Sequence, residues 1–171
     1  MTIIDEYQDV MDIRDIIDRI EEIEGEQNAL VATYTEERDK DDTSEHFHNA
    51  INALSNFWGC APEEVADSVA ALSNPADTFN GDEEAAAMRA FIEQFRGYGG
   101  DHEWENSWFP VTFIRDSFFE DYAEELAEEI GAIPKESAWP TSHIDWKAAA
   151  RALQWDYTSG EYNDVTYWAR S

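Results

Sequence analysis

Thirty-nine acidic side chains against eleven basic ones leave this 171-residue chain with a formal net charge of -28, and any fold it adopts must hold against that self-repulsion. A small domain needs a net charge of only about 2 to 8 in magnitude to stay soluble. The excess calls for a further cause. Disorder is one candidate, but disordered acidic chains are poor in large apolar residues. Here hydrophobic residues make up 43% and aromatics 13%, with seven Trp, seven Tyr and nine Phe, so a packed core is expected.

With Cys60 the single cysteine, no internal disulfide or multi-cysteine zinc cluster can form, which fits a reducing compartment. Met1 to Val10 has no basic start and no apolar stretch of signal-peptide length, and no window approaches a membrane span. These features point to the cytoplasm. A surface this negative repels nucleic acid and anionic membranes, leaving cationic protein surfaces as natural partners.

Hydrophobic periodicity sets the expected elements. Val10, Ile13, Ile16, Ile17, Ile20 and Ile23 recur at helical spacing from Asp5 to Ile23, and Gly25 offers a stop. Leu30 to Tyr34 reads as a short strand or as more helix, and Glu36 to Glu45 as a charged loop. A helix from Ser44 to Trp58 would bury Phe47, Ile51, Leu54 and Phe57; another, opening at Pro62, would bury Val65, Val69 and Leu72. A third, from Asp82 to Gly97, carries the stripe Met88, Phe91, Ile92 and Phe95.

The run Gly97-Tyr98-Gly99-Gly100 marks a boundary between a mainly helical, acidic region 1–97 and a mixed region 98–171. Beyond it Trp108 to Ile114 reads as a strand. Ser117 to Glu120 has capping-box spacing and opens a helix closing at Gly131, followed by a helix from Ile144 to Leu153. Trp155 to Tyr157 and Val165 to Trp168 suggest a closing hairpin about Ser159-Gly160. The expected class is α+β, with an acidic helical amino-terminal region and a β-α-α-β-β carboxy-terminal domain.

Within the Ser117 helix, Phe119, Tyr122, Ala123, Leu126 and Ile130 form one apolar stripe, and nearly every other position is acidic. Glu120, Glu124 and Glu128 make one row, Asp121, Glu125 and Glu129 another. A rise of about 1.5 Å per residue puts row members about 6 Å apart, the scale of phosphate spacing along a nucleic-acid strand. Like charges at i and i+4 cost roughly 0.2–0.5 kcal/mol per pair, and no basic residue between Asp116 and Glu129 relieves them. The first helix repeats the pattern with Asp5, Asp9, Asp12, Asp15, Asp18 and Glu22, tempered by Arg14 and Arg19. A solvated face explains any one acidic helix, and adaptation to high salt explains a whole acidic chain. The abundance of aromatics and the concentration of acids into rows favour recognition instead.

Catalytic patterns are weaker. Glu45, His46, His48 and His102 could ligate a metal, but His46-Phe47-His48 sets alternate residues on different helix faces, and no His-Glu-x-x-His or Cys-x-x-Cys spacing occurs. The Gly97 to Gly100 run lacks the helix and Lys-Ser/Thr of a phosphate loop, no Gly-x-Ser-x-Gly elbow marks a nucleophile, and Cys60 has no recognisable partner. Carboxylate pairs abound for reasons of charge and do not mark a glycosidase dyad. Trp139, Trp146, Trp155 and Trp168 suit packing better than base stacking, because the acidic context repels phosphates.

Asp121-Tyr122-Ala123 through Glu129-Ile130-Gly131-Ala132-Ile133, then Ile144-Asp145-Trp146 with Ala149 and Leu153, then Asp156-Tyr157, resemble the carboxy-terminal domain of the ArdA antirestriction proteins and related phage proteins. The resemblance covers roughly the last 65 residues and leaves Met1 to Gly97 unmatched. It implies an elongated acidic dimer that imitates bent duplex DNA and occupies the DNA-binding groove of a type I restriction-modification enzyme.

The expectation is a non-enzymatic DNA mimic without cofactor or metal, whose partner is a DNA-binding protein with a basic groove and which could form a homodimer. Asp116, Glu120, Asp121, Glu124, Glu125, Glu128 and Glu129 would stand in for phosphates, with Asp9, Asp12, Asp15, Asp18 and Glu22 as a second set. The alternatives are a phage anti-CRISPR or other inhibitor of a DNA-binding protein, an acidic adaptor or scaffold, a halophile-adapted domain, and a hydrolase with an acidic metal site.

Overall fold

Helices and antiparallel sheets are both present in the computed structural model, which describes residues 8–73, 81–133, 139 and 141–171. The chain divides into two compact units, Met1–Ile16 with Ala90–Ser171, and Ile17–Arg89. These units do not coincide with the division at Gly97-Tyr98 read from the glycine run. Both of their boundaries fall inside helices, and the amino-terminal segment supplies a strand to the carboxy-terminal unit.

That strand, β1 (Val10–Asp12), corrects the helix expected there; its expected start at Asp5 lies outside the described residues. It pairs antiparallel with β4 (Thr112–Arg115), setting Val10 opposite Ile114 and Met11 opposite Phe113. Sheet pairing overrides the helical spacing of three residues. Asp12 ends the strand, its carboxylate accepting the Arg14 backbone N–H at 2.9 Å as helix α1 (Ile13–Lys40) begins.

Helix α1 runs through Gly25, through the segment Leu30 to Tyr34 and into the expected charged loop, so neither the stop, the strand nor most of the loop is present. A helical glycine costs only about 1 kcal/mol against alanine, and the buried positions continue past it at Gln27 and Tyr34. Tyr34 packs with Phe47, Ala50, Leu54 and Val65 in the core of the Ile17–Arg89 unit. Phe47 and Leu54 belong to α2 (Glu45–Trp58), whose first turn is capped by Ser44 Oγ accepting from Phe47 N at 3.1 Å. Ile51 and Phe57 are only half-buried; Ala50 and Ser55 are buried beside the two larger residues. Pro62 opens a 3-10 turn leading into α3 (Val65–Leu72), which buries Val65, while Val69 and Leu72 stay half-covered. Gln27 ties this unit together, its side-chain oxygen accepting from Trp58 Nε1 at 3.0 Å and from Asp82 N at 3.1 Å.

In the other unit, β4 continues the sheet to β6 (Val165–Arg170) and on to β5 (Tyr157–Tyr162), in the order β1-β4-β6-β5. Alternation along the strands gives it two apolar faces. One carries Phe113, Tyr162 and Tyr167 and is covered by Phe91 and Phe95, from the end of α4 (Glu83–Glu93) and the turn after it. The other carries Ile114, Trp168 and Tyr157, covered by Phe119 and Ala123 of α5 (Phe119–Glu129) and Ala150 of α6 (Trp146–Leu153).

The expected strand Trp108 to Ile114 is broken at Pro110, which cannot donate to a ladder. Trp108 belongs to β3 (Ser107–Phe109), paired with β2 (His102–Trp104), and Phe113 and Ile114 to β4. From β4 onward the order is β-α-α-β-β, as expected. The hairpin turn moves. Asn163 and Asp164, at φ 47° and 64°, make the two-residue connection, matching a type I′ turn, and Gly160 sits within β5. A Cβ at Gly160 would stand 2.6 Å from the Phe95 ring. Gly160→Ala should therefore destabilise this unit by about 1–3 kcal/mol, read as a lower urea midpoint.

Candidate functional site

Helix α5 presents its acids as the sequence pattern predicts. Phe119 and Ala123 are buried, Tyr122 and Leu126 half-buried, and Glu120, Asp121, Glu125 and Glu129 exposed, with Glu124 and Glu128 partly covered at the stripe's margin. Tyr122 is anchored at its far end by a 3.0 Å hydrogen bond between its hydroxyl and that of Tyr157. Both carboxylate rows thus stand on a helix locked to a sheet. Ile130 departs from the expected stripe and is 69% exposed, because the helix ends at Glu129 and Gly131 turns the chain at φ 72°.

The capping box at Ser117 does not form. The chain enters α5 through a 3-10 turn, Asp116–Phe118, so the cap position falls to Phe118, which has no side-chain bond to offer. Glu120 and Asp121 in the first turn meet the positive end of the helix dipole, whereas Glu128 and Glu129 meet its negative end with no basic residue in the last turn. Each such unfavourable end charge costs roughly 0.3–1 kcal/mol.

Among the described residues, none of the six α5 carboxylates makes an ion pair. The bases are committed elsewhere: Arg19 to Glu22 and Glu84, Arg89 to Glu24, Lys40 to Glu36 and Glu37, Arg96 to Glu93. Lys147 and Arg151 of α6 share a surface groove with Asp116 and Glu120 but form no ion pair with them. Asp116 is held in place by Trp168, whose Nε1 donates to it at 2.7 Å.

The second set does not form one row. Asp9 and Asp12 lie before and within β1, not on a helix. Asp9 pairs with Arg115 and Asp12 with Arg14, and the Arg14 hydrogen bond holds the Asp12 carboxyl below its ordinary pKa. Glu22 pairs with Arg19 at 2.9 Å. Asp15 and Asp18, exposed on α1, carry no ion pair among the described residues. Strand pairing of residues 10–12 splits what helical spacing would have aligned.

No cluster of three or more His, Cys, Asp or Glu among the described residues could hold a metal, and no described helix is long and apolar enough to cross a membrane. Trp155 is 89% and Trp139 80% exposed, so neither packs in the core, whereas Trp168 packs on Phe119 with ring centroids 5.9 Å apart. Trp146 is half-buried. The sequence reading missed a cavity of about 180 Å³ under α5, between Tyr122, Tyr157 and Arg170. Tyr157 and Arg170 face each other across the hairpin, and the Asn163-Asp164 pair was the signal that could have found them.

No protein-family model, no curated protein and no solved structure matches this chain.

Proposed function

We propose that this protein is a non-catalytic DNA mimic that occupies the basic DNA-binding groove of a host defence enzyme, a type I restriction-modification enzyme foremost. The observation carrying this reading is the α5 face: two carboxylate rows at helical spacing of about 6 Å, held on a packed helix and free of ion pairs among the described residues. A helix selected for stability alone would interleave lysines at i+4. Carboxylates left unpaired and anchored are instead available to the Lys and Arg of a groove built for phosphates, and the net charge of -28 speeds the encounter. A type I enzyme is the target that the resemblance of the last 65 or so residues to ArdA proteins implies. Asp116 and the α5 acids are the primary contacts; of the second set, Asp15 and Asp18 are the two without an ion pair among the described residues.

The test is competition. A type I restriction enzyme bound to labelled duplex should release it as the protein is titrated in, and added salt should weaken the displacement. Retention of the duplex at saturating protein, with the same enzyme releasing it to unlabelled DNA, would exclude that target. A pull-down whose captured proteins do not bind DNA would favour an adaptor.

A further inference from the structure

The cavity under α5 is built differently from the acidic face above it. Its walls include the apolar Ile114 and Leu126, and its polar residues are Asp101, Thr112, Tyr122, Tyr157 and Arg170. At about 180 Å³ it falls below the roughly 300–1,000 Å³ of drug-sized pockets, so its ligand is small. Arg170 and Asp101 carry opposite charges and line the same space, yet neither forms an ion pair with the other or with any described residue. The arginines at 14, 19, 38, 89, 96 and 115 each grip a carboxylate; Arg170 and Arg151 grip none among the described residues, and of these two only Arg170 lines a pocket with apolar walls and tyrosines. A cation and an anion on the lining of one pocket, with no ion pair between them, match a ligand that brings both opposite charges.

We propose that this cavity binds a small zwitterion, an α-amino acid with an aliphatic side chain, its carboxylate at Arg170, its ammonium at Asp101 and its side chain against Leu126 and Ile114. The two tyrosines fit the same ligand. Their mutual hydrogen bond uses one O–H, leaving the other to donate to a carboxylate oxygen. Overall charge discriminates too. A simple anion is repelled by a protein of net charge -28, a simple cation is drawn to its whole surface, and a zwitterion feels neither effect to first order. The proposal stands independently of the DNA-mimic reading, since the α5 carboxylates take no part in it.

The experiment is a backbone amide NMR titration of the full chain with L-leucine, beside 4-methylpentanoate, which lacks the ammonium, and 3-methylbutylamine, which lacks the carboxylate. Leucine should give saturable shifts at Thr112, Tyr122, Leu126 and Tyr157, and each analogue should bind about tenfold or more weakly, as expected when one charged contact worth about 1.4 kcal/mol is lost. Arg170→Gln and Asp101→Asn, both at exposed positions, should each weaken leucine about tenfold while leaving other resonances in place. Leucine failing to saturate by about 10 mM, or the amine binding as tightly as leucine, would overturn the proposal.

Discussion

Replacing Phe91 by Ala is expected to destabilise the sheet-containing unit by about 3–5 kcal/mol, the usual cost of emptying a buried aromatic site. Phe91 is 1% exposed, and its ring lies 4.9 Å from Phe113, 5.4 Å from Phe95 and Tyr162, and 5.6 Å from Tyr167. One side chain of α4 thus touches the turn after its helix and three strands. Aromatic pairs add roughly 0.5–1.5 kcal/mol each beyond area burial, so the loss should fall at the upper end of the range. Domains are stable by only about 5–15 kcal/mol, and in this one like charges already oppose compaction. Urea unfolding followed by tryptophan emission should show the midpoint dropping sharply. Phe91→Leu should lose less, and Trp155→Ala, at a site 89% exposed, should stay within about 0.5 kcal/mol of the parent. Equal midpoints for Phe91→Ala and Trp155→Ala would show that this aromatic cluster does not hold the unit together.

The same cluster marks how far the fold could be read in advance. Met88, Phe91, Ile92 and Phe95 were legible because a stripe at helical spacing depends only on local sequence, and all four are buried. Phe119, Ala123 and the carboxylate rows were legible for the same reason. Elements fixed by distant partners were not. Residues 10–12 carry helical spacing but become strand because β4 offers an edge. Gly25 looked like a stop until a continuing buried face, Gln27 to Tyr34, outweighed its cost. The hairpin shows what one misplaced turn conceals. Centring it on Ser159-Gly160 hides that Tyr157 sits opposite Arg170, and with it the cavity they line. Asn163-Asp164 carries the turn signal, whereas Gly160 admits the Phe95 ring.

Changing Glu120, Glu124, Glu125 and Glu128 together to Gln should abolish most displacement of duplex from the target enzyme while sparing the fold. Exposed charge pairs contribute roughly 0.2–1 kcal/mol each. Four, near the upper half of that range, sum to about 2–4 kcal/mol, or about a 30- to 700-fold weaker competitor. Stability should hold or rise, because Gln propagates a helix as well as Glu and the like-charge contacts between 120, 124 and 128 disappear. Since the substitution leaves most of the net charge of -28 in place, it separates an ordered row from bulk acidity. The matching control removes four exposed acids scattered over other elements, Glu26→Gln, Asp42→Asn, Glu63→Gln and Glu103→Gln. If rows of carboxylates imitate phosphates, the scattered variant should compete like the parent, with a similar dependence on salt. If the two variants lose affinity equally, total charge alone drives the encounter, and the spacing on α5 has no part in recognition.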